Sequence, residues 1–106
     1  MVDVNDSNFE SEVVERSKSV PVLVDFWAGW CGPCQMLKPV LEKVEQDYGG
    51  KFVLAKLDVQ SNQLVASEFG IMSIPAVKLF KGGQVVDEFI GARPESAVKE
   101  WLDKNI

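Results

Sequence analysis

The apolar positions of the chain change period several times, alternating between helical and strand spacing. Ser7 to Glu10 reads SNFE, a capping-box pattern, with Phe9, Val13 and Val14 at helical spacing, which predicts a helix from about Ser7 to Arg16. The short Val2-Asp3-Val4 before it reads as an edge strand. From Val22 to Ala28 the run is continuously apolar, the pattern of a central strand covered on both faces, and its single charge, Asp25, stands out. Met36, Leu37, Val40, Leu41, Val44 and Tyr48 then form a helical stripe that stops at Gly49-Gly50, with a kink expected at Pro39. Phe52 to Val59 reads as a second buried strand, and NQLVASEFG as a short helix closed by Gly70. AVKLF and QVVDEFI are two strands joined by Lys81-Gly82-Gly83, where paired glycines suit a tight hairpin. A last helix is expected to start at Pro94 and to bury Val98, Trp101 and Leu102.

The element order is therefore β-α-β-α-β-α-β-β-α, with parallel crossovers early and an antiparallel hairpin late. This predicts an α/β fold: a mixed central sheet of about five strands, flanked on both faces by four helices. At 106 residues, 46% hydrophobic and 25% charged, the chain fits one soluble globular domain, residues 1–106, with enough core to fold without staples. The net charge of -5 and the absence of histidine argue against partners that bind through phosphates, so neither nucleic acid nor membrane is expected. The first ten residues have no basic n-region or apolar h-region, and no apolar run reaches transmembrane length. A cytoplasmic monomer is the expectation, or an organellar one if a targeting peptide has been removed.

Both cysteines of the chain fall within WAGWCGPC, Trp27 to Cys34, where the central strand hands over to its helix. The carboxyl end of a strand is where open α/β sheets place their sites. Residues three apart at a helix start share one side, with Cβ atoms about 5 to 6 Å apart. Slight adjustment reaches the roughly 3.5 to 4.5 Å that a disulfide requires. Cys31 lies at the free amide end of the helix, where the dipole favours an anion and lowers a thiol pKa, so Cys31 is the expected nucleophile. Cys34, one turn deeper and more shielded, is the expected resolving thiol. Gly32 lets a partner backbone approach, and Pro33 fixes φ without a spare N–H. A zinc site would need four ligands from a chain with two cysteines and no histidine, so none is expected except through dimerisation. A structural staple is a poor reading too, because the closed loop is very short. Redox chemistry without a bound cofactor is the reading that remains.

The CGPC core between tryptophans, VLVDFW before it, Ile74-Pro75 downstream and Gly91 together closely resemble the thioredoxin family, over essentially the whole chain. The resemblance implies the thioredoxin fold and a protein-disulfide reductase. Its donor would be a thioredoxin reductase, NADPH-linked or ferredoxin-linked, and its partners disulfide-containing target proteins. It also implies that Asp25 lies behind Cys34 and takes its proton, directly or through water, and that Lys56 sits near this aspartate. Read from the residues alone, Asp25 is a buried carboxylate that is either hydrogen-bonded or raised in pKa, and Lys56 is open to an ordinary solvated role. The resemblance further implies a cis Ile74-Pro75 peptide facing the cysteines. Trp30, Ile74, Gly91 and Ala92 would then rim the sulfur and hold an extended substrate segment by backbone bonds. Trp27 is expected to pack in the core beside the site, and Trp101 in the core far from it.

Three places depart from the common family pattern: Gly29 for a larger residue, Met72-Ser73 before Ile74, and Lys78 within an apolar strand, from which it is expected to snorkel to solvent. Two rival functions use the same residues. One is an oxidase or isomerase of an oxidising compartment, against which the uncharged Pro33 and the lack of histidine speak. The other is a non-redox binding module that grips partners with the Trp30 and Pro75 surface.

Overall fold

The computed structural model describes residues 1–106 without a break. Its elements are β1 (Val2–Asp3), α1 (Glu10–Glu15, wound as a π-helix and continued by a 3-10 turn over Arg16–Lys18), β2 (Val22–Trp27), α2 (Gly32–Tyr48), β3 (Val53–Asp58), α3 (Gln63–Glu68), β4 (Ala76–Lys81), β5 (Gln84–Ile90) and α4 (Glu95–Asp103). The sheet order is β1-β3-β2-β4-β5. β3 runs parallel to β1 and β2, while β4 is antiparallel to β2 and β5. This is the five-strand mixed sheet with four helices that the periodicity predicts, and β2 is its central strand. The β4–β5 turn sets Gly82 and Gly83 at φ 64° and 87°, the left-handed pair that matches the twist of a two-residue hairpin.

Alternation along β2 divides the interior in two. Val22, Val24 and Phe26 join a cluster with Phe9, Val13, Leu57, Val65 and Phe80 on one face. Leu23 points to the other face, where Leu37, Leu41, Val44, Leu79 and Leu102 close the core beneath α2 and α4. Asp25 and Trp27 share Leu23's parity, so the carboxylate points to the side covered by the cysteine helix. The first cluster is partly aromatic: Phe80 lies with its ring centroid 5.6 Å from Phe9 and 5.5 Å from Phe69. Removing the Phe80 ring, which is 1% exposed, leaves a cavity among packed rings, so Phe80→Ala is expected to cost about 3–5 kcal/mol. Urea unfolding measures this, and a loss under about 1 kcal/mol would contradict the packing described.

Several sequence expectations need correction. The capping box does not form. Asn5 Oδ1 instead accepts the N–H groups of Ser7 and Asn8 at 2.8 and 2.9 Å, an Asx turn that delays the helix and leaves Ser7 out of the cap. Pro94 is not the first helical residue. Its ψ of 158° is extended, its carbonyl accepts from Ala97 and Val98, and the helix begins at Glu95, whose carboxylate suits the dipole. Met36 leaves the buried stripe and is 69% exposed, whereas Leu37, Leu41 and Val44 of that series are buried and Val40 and Tyr48 pack at the edge of the core. Lys78 does not reach free solvent: it pairs with Glu88 across the hairpin at 2.9 Å.

Candidate active site at the start of the cysteine helix

The chain leaves β2 at Trp27, turns through Ala28 to Trp30, and enters α2 with Cys31 as the capping residue. Cys31 has extended dihedrals, and its Sγ accepts the backbone N–H of Cys34 at 3.2 Å. A sulfur is thus the cap of a 17-residue helix, in the place where an oxygen usually stands. An anion there meets unpaired N–H groups and the positive end of the dipole, which stabilises a thiolate. Cys31 and Cys34 form a disulfide, with Cα atoms 5.3 Å apart.

The expected contrast in shielding between the cysteines is absent: both are 3% exposed, since the bond draws the Cys31 side chain in over the helix end. What separates them is the surface each faces. Cys34, and not Cys31, lines a cavity of about 50 Å3 together with Asp25, Trp27, Gln35, Lys38 and Lys56. Asp25 reaches it from β2. Parallel pairing sets Lys56 of β3 beside Asp25, and both point into the side covered by α2.

Asp25 is 3% exposed, and its Oδ1 has no hydrogen-bond partner in the chain. Burial pushes its carboxyl from an ordinary 3.8 to about 7, and the Lys56 ammonium offsets part of that rise. Of the two outcomes foreseen for this carboxylate, the structure selects the raised pKa over hydrogen bonding. Lys56 is not a free surface lysine: its Nζ lies 5.3 Å from the Trp27 ring centroid and 3.6 Å from Asp3 Oδ1. Replacing it by Lys56→Gln removes the attraction that holds the carboxylate charged, so the Asp25 titration is expected to move upward. Carboxyl NMR across pH 5 to 10 reads this directly, and a downward shift would mean that the lysine acts in some other way. Trp27 is half-buried and lines the cavity rather than packing wholly in the core.

The remaining candidates lie at the start of α2 and in the loops before β4 and after β5. The Ile74–Pro75 peptide is cis, and the Pro75 carbonyl accepts the Gly91 N–H at 2.8 Å, tying the loop before β4 to the loop after β5. Gly91 has φ 92°, which a side chain would strain, so glycine is required at this tie. Ile74 is half-buried, Gly32, Pro33 and Ala92 are exposed, and Trp30 is 68% exposed, a large apolar surface next to Cys31. Gln35 and Lys38 were not singled out from the sequence. Their spacing of one and four residues after Cys34, on the same helix, was the available signal. A Cβ on Gly29 would meet no atom within 4 Å, and nothing in the structure explains the glycine.

A cysteine pair at a helix start, closed as a disulfide and sharing a cavity with a buried carboxylate, defines a thiol-disulfide oxidoreductase. A family model described as Thioredoxin matches residues 1–104. The chain is 48% identical over 103 residues to thioredoxin 1 of a Nostoc species, covering 97% of this chain and 94% of that protein. It is 46% identical over 104 residues to the thioredoxin of Chlorobaculum thiosulfatiphilum, covering 98% and 94%. Against the thioredoxin of Staphylococcus haemolyticus it is 46% identical over 106 residues, covering 100% and 98%. The chain belongs to the thioredoxin family. It is a dithiol disulfide reductase and electron carrier that works through Cys31 and Cys34, drawing electrons from a reductase and passing them to disulfide substrates. No helix is long and apolar enough to cross a membrane.

Proposed function

We propose that each candidate residue has a separate role in reducing protein disulfides. The Cys31 thiolate attacks one sulfur of the substrate disulfide, the other sulfur leaves as a thiolate, and a mixed disulfide joins the two proteins. Cys34 passes its proton to the Asp25 carboxylate, directly or through a water, and attacks Cys31 Sγ. The second substrate thiol is released, and the chain keeps the disulfide. Two electrons have then moved to the substrate, and the reductase restores them. Lys56 tunes Asp25. Trp30, Gly32, Pro33, Ile74, Pro75, Gly91 and Ala92 hold the extended substrate segment, with backbone bonds at Ile74.

The observation that carries this reading is the cavity shared by Cys34 and the buried Asp25, whose Oδ1 has no hydrogen-bond partner. A base at neutral pH is what a buried resolving thiol needs. The reading takes residues 1–106 as one domain acting as a cytoplasmic monomer. Its donor is an NADPH-linked or ferredoxin-linked thioredoxin reductase. The experiment is turnover of a protein disulfide by the purified chain, once with NADPH and its reductase and once with the ferredoxin-linked enzyme. Turnover with neither donor would overturn it. An oxidase or isomerase role would show as a potential at or above that of the glutathione couple. In that case the uncharged Pro33 between the cysteines would have misled.

A further inference from the structure

The net charge is -5, yet the loop after β5, residues 91–94, carries a single charge, the cation Arg93. Six of the 11 Lys and Arg side chains form ion pairs with carboxylates of the chain, and neither Lys38 nor Arg93 is among them. Glu95 is taken up by Lys99 at 3.0 Å, while Glu100 of α4 lines a second recess together with Arg93 and Lys104.

Arg93 is also held in place. Its guanidinium carbon lies 4.4 Å from the Phe89 ring centroid, so the cation stays at the rim. Beside it, Met36, Val40, Ala92 and Pro94 complete a groove of about 340 Å3. The floor is apolar, and the Met36 thioether, 69% exposed, is an adaptable contact for an aliphatic or aromatic side chain. Met36 follows Cys34 by two residues and Ala92 adjoins Gly91, so a substrate segment crossing the disulfide toward Gly91 enters this groove within a few residues.

We propose that this groove is a docking subsite selecting target segments in which an apolar side chain, flanked by a carboxylate, lies within about three residues of the reacting cysteine. The apolar side chain rests on Met36, Val40 and Pro94, and the carboxylate meets Arg93. The subsite rests on the reductase reading and extends it, because it names which disulfides are preferred. A chain of net negative charge repels acidic partners in general, so an unpaired arginine next to the sulfurs confines attraction to one docking pose.

The test is single-turnover reduction of three disulfide-bonded peptides that differ at one position beside the apolar residue: Glu, Gln or Lys. At low salt the Glu peptide is expected to react about fivefold faster than the Gln peptide, and the Lys peptide slower than both, with the spread shrinking as salt rises. Arg93→Gln should bring the Glu-to-Gln ratio to about one. Arg93→Glu should invert the order, and faster reduction of the Lys peptide by that variant also shows that it is folded. Equal rates for all three peptides with the unmodified chain, or a Glu preference that survives both variants, overturns the subsite. The neutral bis(2-hydroxyethyl) disulfide, too small to span the groove, separates the two claims. If the unmodified chain reduces neither it nor any peptide, the reductase reading itself has failed.

Discussion

Replacing Cys34 by serine is expected to turn the chain from a catalyst into a trap, collecting disulfide partners covalently on Cys31 while multiple-turnover reduction is lost. The helix end that stabilises the Cys31 thiolate is built from backbone N–H groups, including that of Cys34 itself at 3.2 Å from Sγ. A serine side chain leaves those donors in place, so attack on a substrate disulfide continues. What disappears is the second attack, because a serine hydroxyl is not ionised at neutral pH and cannot displace a sulfur. The mixed disulfide then persists until an external thiol cuts it. Cys31→Ser should trap nothing. Its remaining Cys34 is buried against the Asp25 cavity and lacks the cap position, so it is without the helix-end N–H groups that Cys31 offers a thiolate. Non-reducing electrophoresis of each variant with a protein disulfide separates the outcomes. Adducts formed through Cys34 in the Cys31→Ser chain would reverse the assignment of nucleophile and resolving thiol.

The parts of this site that were legible in the sequence are those fixed by local rules. The spacing of Cys31 and Cys34, their place after an apolar strand and the glycine pair of the hairpin all follow from dihedral and periodicity constraints within a few residues. Asp25 was visible as a charge where none belongs, and alternation with Leu23 gave its face. The unforeseen features depend on neighbours brought together by the fold. Lys78 pairs with Glu88 only because β4 and β5 align them, and apolar periodicity alone cannot tell that from snorkelling. Met36 fits the helical stripe by number, yet α2 turns it outward, since the core takes Leu37, Leu41 and Val44 with Val40 and Tyr48 at its edge. Asn5 takes the cap from Ser7 because a competing turn two residues earlier satisfies the same N–H groups. Arg93 over Phe89 joins a loop to a strand, a pairing with no short-range signature.

Asp25→Asn is expected to stabilise the oxidised chain at alkaline pH and to slow its catalytic cycle, two effects with one cause. The folded-state pKa of about 7 lies above the ordinary 3.8. The folded chain therefore holds this proton where the unfolded chain releases it. Stability from the protonated carboxyl is fully present below about pH 4 and declines as pH rises, until the folded group also ionises near 7. Three units of raised pKa correspond to about 4 kcal/mol lost across that window. The asparagine variant has no proton to lose, so its stability relative to the parent should grow by about that amount between pH 4 and pH 8. The cost of burying the amide is constant with pH and does not alter this growth. Urea midpoints at the two pH values measure it, and a difference that stays flat would mean that Asp25 is ionised throughout. In the proposed reaction the ionised carboxylate is the base. Release of substrate from the mixed disulfide should rise through about pH 7 in the parent, and this rise should be lost in the variant. At neutral pH the variant's release step should be slower by at least about tenfold. Stopped-flow reduction of a protein disulfide resolves that step from the first attack, which depends on the helix end and should keep its rate.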